Sequence, residues 1–289
     1  MKTDKIRIAI LGYGNIGCAA EAAIKAAPDM KLTGIHHHND DINKIQADVV
    51  LLGTPTREVQ HYAEKLLQKG ISVIDSFDIH TQIYALRQSL KPIAEAHKAV
   101  SIISAGWDPG TDSMIRALLQ AMAPNGITYT NFGPGRSMGH TVAAKAIKGV
   151  KDALSMTIPL GTGVHRRMVY VELEKNAKFS QVEKALLKDD YFAHDETHVI
   201  QVPSIKELNN VAHGVLLERY GVSGDTHNQR FEFKMEINNP ALTAQIMTAC
   251  ARAAYRMCKH KHYGAFTLIE IPPIALLPGD EETNIKALV

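Results

Sequence analysis

A doubly wound parallel α/β sheet joined to an α+β domain is the fold class that this chain of 289 residues predicts, on three observations. A short apolar run at residues 8–11 passes directly into Gly12-Tyr13-Gly14-Asn15-Ile16-Gly17. Apolar runs of strand length then alternate with helical patterns to about residue 104, as a sheet covered by helices on both faces requires. Beyond residue 110 the period changes. Residues 230–237 alternate strictly, with Phe231, Phe233, Met235 and Ile237 on one face and four charges on the other, the pattern of an antiparallel strand with one wet face.

In the first strand-to-helix turn each glycine has its own task. Gly12 permits the tight turn, Gly14 lets backbone N–H groups approach a phosphate, and Gly17 lets the next helix lie against the strand. That helix, expected over 16–27 and stopped by Pro28, turns a partially positive N-terminus toward an anion. The combination is the fingerprint of a Rossmann-type dinucleotide-binding domain. Strands are expected next at 31–35 and 48–53, a helix at 59–68 closed by Gly70, a strand at 71–75, a helix at 82–97 and a strand at 100–104. Residues 168–173 alternate more softly, with Glu172 opposite Val169, Val171 and Leu173. Asn239-Pro240 opens a long helix to about residue 258, and a last strand at 265–271 precedes a Pro-rich tail. The expected division is a dinucleotide-binding domain over 1–107, with 240–289 packing back on it, and a substrate-binding and dimerisation domain over 108–239.

Composition bounds the function. A net charge of +2, from 32 basic and 30 acidic residues with no long run of either sign, argues against a nucleic-acid partner. No apolar stretch approaches a membrane span, and residues 1–5 leave no room for a signal peptide, so a cytoplasmic location is expected. Cys18, Cys250 and Cys258 are neither even in number nor clustered, and are expected to be small buried apolar residues. His36-His37-His38 would point to alternating faces of a strand, and His260 and His262 flank Lys261 near a helix end, so no metal site is expected.

Two loops carry the candidate chemistry. Asp75-Ser76-Phe77-Asp78 and Ser104-Ala105-Gly106-Trp107-Asp108-Pro109-Gly110 stand at the C-terminal ends of successive parallel strands, where open α/β sheets bind ligands. Two aspartates there could face one cationic group. Taken singly, Asp78 reads equally as a helix cap and Asp108 as a turn residue. The only Trp of the chain stands beside Asp108 in a loop, where a large aromatic seldom serves the core alone.

These segments, with Phe132-Gly133-Pro134-Gly135, Met138-Gly139-His140 and Asn238-Asn239-Pro240, resemble the meso-diaminopimelate dehydrogenase family over nearly the whole chain. Phe132 and Met138, in place of a Trp and a Gln, resemble the branch with wider substrate tolerance. The resemblance implies a homodimeric enzyme. It would oxidatively deaminate the D-centre of meso-2,6-diaminopimelate with NADP+, giving L-2-amino-6-oxopimelate and ammonia, and would run the reverse reductive amination in lysine biosynthesis. It implies that Asp78 and Asp108 are catalytic and hold the reacting amino group. Trp107, Phe132, Met138 and Gly139 would shape the pocket around it, and Thr157, Arg167, His213 and Asn239 would read the distal amino acid end. Gly12, Gly14, Asn15, Ile16, Gly17, His37, His38, Thr54, Pro55, Asp75 and Ser76 would line the cofactor. As chemistry, Arg167 offers a planar fork to a carboxylate, and carboxylates beside the nitrogen stabilise the positive imine that hydride loss creates. Asp78, Asp108 and His140 are all proton acceptors in type.

The chain departs from that pattern on the adenosine side. Family members carry an Arg pair for the 2′-phosphate of NADP where this chain has His37 and His38, and roughly a dozen residues are missing before Ala47. Asp40 lies slightly beyond the position of an acid that would select NAD, so NADP is favoured on resemblance with NAD left open. The alternatives are a relaxed D-amino acid dehydrogenase acting on simple 2-keto acids, or a non-catalytic nucleotide-binding sensor. Turnover of meso-diaminopimelate against D-alanine separates the first of these, and nucleotide binding without turnover would mark the second.

Overall fold

The structure is a computed structural model that describes residues 5–208 and 213–289. It divides into two compact units, Met1–Ala117 with Asn239–Val289, and Leu118–Asn238. The border expected at 107/108 thus lies earlier than the one between the units, which falls inside a helix.

The chain begins with β1 (Ile6–Leu11), α1 (Asn15–Ala26), β2 (Met30–His36), β3 (Val49–Leu52), α2 (Val59–Gln68), β4 (Ser72–Asp75), α3 (Ile83–Ala96) and β5 (Val100–Ile103). Helix α4 (Thr111–Met122) leads into β6 (Asn125–Phe132), β7 (Gly135–Arg136), α5 (Met138–Lys145), β8 (Val150–Gly161) and β9 (Val164–Leu173). Then come α6 (Phe179–Leu186), β10 (Glu196–Gln201), β11 (His213–Ser223) and β12 (Thr226–Ile237). The return to the first unit is made by α7 (Asn239–Lys259), β13 (Gly264–Thr267), α8 (Pro273–Leu276) and α9 (Glu281–Leu288).

The first unit is the expected parallel sheet. Six strands lie in the order β13-β5-β4-β3-β1-β2, every neighbouring pair parallel. From β1 the chain goes out to β2 and comes back to β3 on the other side, so the strand order reverses between β1 and β3, the switch point where such sheets open a crevice. Side chains alternate between two cores. Ile8, Ile10, Val49 and Leu51 pack with α1 and α7, whereas Ala9, Leu11, Val50 and Leu52 pack with α2 and α3. Buried alanines of α7, among them Ala244, Ala251 and Ala254, keep its sheet-facing side low. On the same helix the buried Arg252 grips both oxygens of Asp29, at 2.5 and 2.7 Å, and donates to the Leu276 carbonyl. The last strand stops at Thr267 rather than running to 271, because the Glu270 carboxylate accepts from both the Thr267 amide and hydroxyl and folds the chain into a turn. The Pro-rich tail likewise forms helices, α9 being capped by Asp280 on the Thr283 amide.

The second unit holds two sheets. One has the order β10-β9-β8-β7 and is mixed, β10 running parallel to β9. The other is antiparallel, β12-β11-β6. Val150, Val169, Val171, Val182, Leu186 and Phe192 build the core beneath the mixed sheet. Phe231, Phe233, Met235 and Ile237 on β12 stay half-buried, while the charges between them are exposed. Arg219, buried on β11, donates to the Ala123 and Pro124 carbonyls and to the Thr128 hydroxyl, tying the start of β6 to the sheet.

No helix among the described residues is long and apolar enough to cross a membrane. The cysteines are free, but Cys18 is exposed rather than buried, since α1 buries Gly17, Ala20, Ala23 and Ile24 instead.

Candidate active site

At the end of β1 each of the three glycines answers to a different constraint. Gly12 has φ +95°, and a Cβ there would lie 2.6 Å from the Gly53 carbonyl oxygen. A Cβ on Gly17 would collide with the Gly12 carbonyl. Gly14 has an ordinary φ of −83°, and a Cβ there would meet nothing within 4 Å. Neither backbone conformation nor protein packing therefore requires glycine at 14, and what remains is an outside partner that comes close to the backbone. Helix α1 starts at this point with no side-chain cap and no acid in its first turn, leaving its N–H groups turned to an anion. The Thr54 hydroxyl, next to Gly12 at the end of β3, is buried without a hydrogen-bond partner. A dinucleotide pyrophosphate fits this cradle.

The Gly12 amide donates to the His36 carbonyl, which brings the end of β2 alongside the glycine turn and sets His37 and His38 just beyond the strand. The Tyr13 ring stands edge-on to His37, with centroids 6.3 Å apart. Asp40 accepts from the His37 amide at 2.7 Å, so its carboxylate closes a local turn.

Beyond β4 and β5 the loops are locked together from inside. Asp75 is wholly buried, and its Oδ1 accepts from the Phe77 and Ser104 amides at 2.9 and 3.0 Å. Burial pushes its carboxyl up to about 6, against the pull of those two N–H groups. The Ser104 hydroxyl answers by donating to the Phe77 carbonyl at 2.7 Å. Asp75 thus anchors the loop, while Ser76 and Asp78 are left nearer solvent. Asp78 does not cap the next turn, whose N-cap is Ile79; its Oδ1 instead accepts from the Thr56 hydroxyl at 2.6 Å.

After β5 the chain doubles back at Gly106–Gly110 and enters α4. Trp107 is 6% exposed. Asp112 and Arg116 share one face of α4, and Asp108 in the preceding turn meets the same guanidinium. Arg116 Nη2 lies 2.6 Å from Asp112 Oδ2 and 3.6 Å from Asp108 Oδ1. These ion pairs are not aligned as hydrogen bonds, so Asp108 Oδ1, Asp112 Oδ2 and Arg116 Nε are all buried without hydrogen-bond partners. Asn239, the first residue of α7, accepts from the Thr243 hydroxyl at 3.0 Å, and Thr243 packs beside Gly106.

The second unit gathers its own polar cluster. Thr157 on β8 stands opposite Arg167 on β9. Arg167 donates from Nη1 to the Thr157 hydroxyl and from Nε to Asp195 Oδ2 at 2.6 Å. His140 on α5 contacts the Ser137 hydroxyl through Nδ1 at 2.8 Å and packs edge-on against Tyr191 and Phe192, at 5.4 and 5.5 Å. Burial and the nearby Arg167 push this imidazole down to about 4, leaving it neutral at pH 7. The Phe132 amide donates to His165 Nε2 at 2.8 Å, with the two rings 5.8 Å apart. Gly139 faces Tyr191, Met138 is exposed, and His213 starts β11, whose next residue accepts from the Gly133 amide.

The profile of the diaminopimelic acid dehydrogenase C-terminal domain matches residues 106–164. A meso-diaminopimelate D-dehydrogenase of Bacteroides fragilis is 55% identical over 99% of this chain and 99% of its own. The chain belongs to the meso-diaminopimelate D-dehydrogenase family. The enzyme of that name from Ureibacillus thermosphaericus is 34% identical over 99% of this chain and all of its own. Among solved structures, the diaminopimelate dehydrogenase of Corynebacterium glutamicum in complex with DAP superposes with a TM-score of 0.87 at 29% identity, covering 99% of this chain and 100% of that one. An engineered D-amino acid dehydrogenase bound to NADP+ superposes with 0.82 at 28%, with the same coverage.

Five residues that touch the candidate site residues escape a reading of the sequence. Asp112 and Arg116 had a legible signal, their own four-residue spacing on one helix directly after Asp108. Thr56, Asp195 and Tyr191 had none, since each meets its partner only through strand order or loop packing.

Proposed function

We propose that the protein catalyses the oxidative deamination of the D-centre of meso-2,6-diaminopimelate with NADP+, yielding L-2-amino-6-oxopimelate and ammonia, and the reverse reductive amination. One observation carries this reading. In a chain 55% identical to a meso-diaminopimelate D-dehydrogenase, Asp108 offers a buried carboxylate oxygen without a hydrogen-bond partner, at the strand ends of the sheet that holds the glycine cradle. NADP+ bound on that cradle supplies the hydride acceptor. Gly12, Gly14, Asn15, Ile16 and Gly17 hold its pyrophosphate, with Thr54 and Pro55 beside them, and Asp75 and Ser76 shape the loop at its reactive end. His37 and His38 meet the 2′-phosphate.

Asp78 and Asp108 hold the substrate ammonium, and one of them accepts a proton before hydride leaves Cα, because only the neutral amine can share its lone pair with the carbon. Trp107, Phe132, Met138 and Gly139 surround that centre and exclude bulk water. Arg167, fixed by Asp195 and Thr157, turns its guanidinium to the distal carboxylate, while His213 and Asn239 take the remaining polar groups. The neutral His140 stays available as a second acceptor. Phe231, Phe233, Met235 and Ile237 present a half-buried apolar row that a second copy of the chain would cover as a homodimer in the cytoplasm, serving lysine and cell-wall precursor synthesis.

The test is NADP+ reduction with meso-diaminopimelate, D-alanine or D-leucine, repeated with NAD+. The expected result is fastest turnover of meso-diaminopimelate with NADP+, and its loss in Asp108→Ala with cofactor affinity retained. Preference for the simple D-amino acids would replace this reading with the relaxed dehydrogenase, and nucleotide binding without turnover would refute both.

A further inference from the structure

Asp112 lies in the first turn of α4, four residues after Asp108 in the preceding loop, and its side chain is fully buried. Helix α4 places Asp112 and Arg116 on one face, and the turn before it brings Asp108 to the same guanidinium, which thus faces two carboxylates. Were both ionised, the cluster would carry an uncompensated negative charge in the protein interior, an expensive state that a bound proton removes. The other polar neighbour of Asp112 is Ser113, whose hydroxyl donates to Oδ1 at 3.3 Å. Among the described residues the charged groups bearing on Asp112 are Asp108 and Arg116. Burial and the Asp108 carboxylate push the Asp112 carboxyl up to about 7, while Arg116 pulls the other way.

We propose that Asp112 is the proton store behind Asp108, receiving through it the proton that the substrate ammonium gives up, with Arg116 holding the two carboxylates together. This rests on the reading of Asp108 as the group that meets the amine. The balance is simple. An N–H bond of the ammonium breaks and an O–H bond forms on Asp108; that proton passes on to Asp112, which is ionised at the start of the cycle in the active form above about pH 7, returning Asp108 to its ionised form. The freed lone pair becomes the C=N bond as hydride leaves Cα for NADP+, and water then releases ammonium from the iminium, leaving the carbonyl. Oxidative deamination liberates one proton overall, and it is this one. Asp112 does not touch the substrate and acts as a positioning and proton-storing residue, a role that a merely structural acid would not show in a pH profile.

The experiment compares Asp112→Asn, Arg116→Gln and Asp108→Asn in the full-length protein, reading kcat and kcat/KM for meso-diaminopimelate from pH 5.5 to 9, NADPH binding and thermal melting. Asp112→Asn is expected to lower kcat roughly 10- to 100-fold and to abolish the limb with an apparent pKa near 7, leaving NADPH affinity within about twofold. Arg116→Gln removes the cation that favours ionisation, so the same limb moves to higher pH. A folded Asp112→Asn variant with the parental kcat and pH profile overturns the proposal. If Asp108→Asn is itself fully active, the assignment of Asp108 fails instead, and the two failures are told apart. Should Asp112→Asn not fold, 13C NMR of labelled aspartate carboxyls in the unmodified protein decides: a carboxyl other than Asp75 titrating near neutrality and perturbed in Asp108→Asn supports the store, and ionisation of every aspartate except Asp75 by pH 5 overturns it.

Discussion

Replacing Gly14 by alanine separates fold from function more cleanly than any other single change in the glycine turn. The backbone at 14, with φ −83° and ψ −159°, is open to any residue, and the new methyl group would meet no protein atom within 4 Å. Two small effects on stability oppose each other. Alanine is a poorer N-cap than glycine by roughly 0.5–1 kcal/mol, and it restricts the unfolded chain by about 0.4–1 kcal/mol in the other direction. The net change is near zero, so the melting temperature should move by no more than about 2–4 °C. Binding is another matter, because the methyl group stands where backbone amides must approach a pyrophosphate. Losing one charge-assisted hydrogen bond costs roughly 1.5–3 kcal/mol, about 10- to 100-fold in affinity. Titrating NADPH fluorescence against the purified variant, beside a melting curve, reads both quantities. Parental NADPH affinity in Gly14→Ala would refute the placement of the pyrophosphate on this turn. Gly12→Ala is the matching control and should lose stability outright, since its φ of +95° and the Gly53 carbonyl at 2.6 Å forbid the side chain.

Changing both His37 and His38 to alanine should weaken NADP+ by about tenfold or more while leaving NAD+ nearly unaffected, as comparison of the two KM values will reveal. Arg167→Met should raise KM for meso-diaminopimelate by about tenfold or more and leave D-alanine little changed, because D-alanine has no distal carboxylate to lose; Asp195→Asn should move in the same direction by less. Stability should also depend on pH through Asp75. Its folded value of about 6 lies above the ordinary 3.8, so its contribution is fully present below pH 3.8 and is lost as pH rises through about 6. The loss amounts to roughly 3 kcal/mol. Denaturant titrations of the parent and Asp75→Asn at pH 4 and 7 should show the parent gaining relative stability at the lower pH, and a constant difference between the two would contradict the buried carboxyl.

The parallel sheet was legible because strands buried on both faces leave continuous apolar runs, such as residues 49–52, and because the glycine turn fixes where the first one ends. Partner choice among antiparallel strands was not. Alternation shows that residues 230–237 form a strand with one apolar face, but not that β12 joins β11 and β6 in a separate three-stranded sheet while β10 runs parallel beside β9. The Arg167–Asp195 contact depends on that pairing, so it too lay out of reach. Asp75 shows a different limit: strand-end position draws it toward the cofactor, yet its carboxylate points inward, since the amides of Phe77 and Ser104 need a buried acceptor there. Thr267 and Glu270 ended the last strand early through side-chain hydrogen bonds that no hydropathy pattern reveals.

The order in which the chain is made follows from how the six-stranded sheet is assembled. Its edge strand β13 and the helix α7, which supplies much of one of its two cores, come from a segment made after the second unit. Until then β5 has an unpaired edge and the apolar face of Ile8, Ile10, Val49 and Leu51 is covered by α1 alone, whereas residues 118–238 are already complete. The portion synthesised first is therefore the portion that matures last, and a nascent chain halted before residue 239 would carry a finished second unit behind a sticky, protease-sensitive nucleotide-binding half.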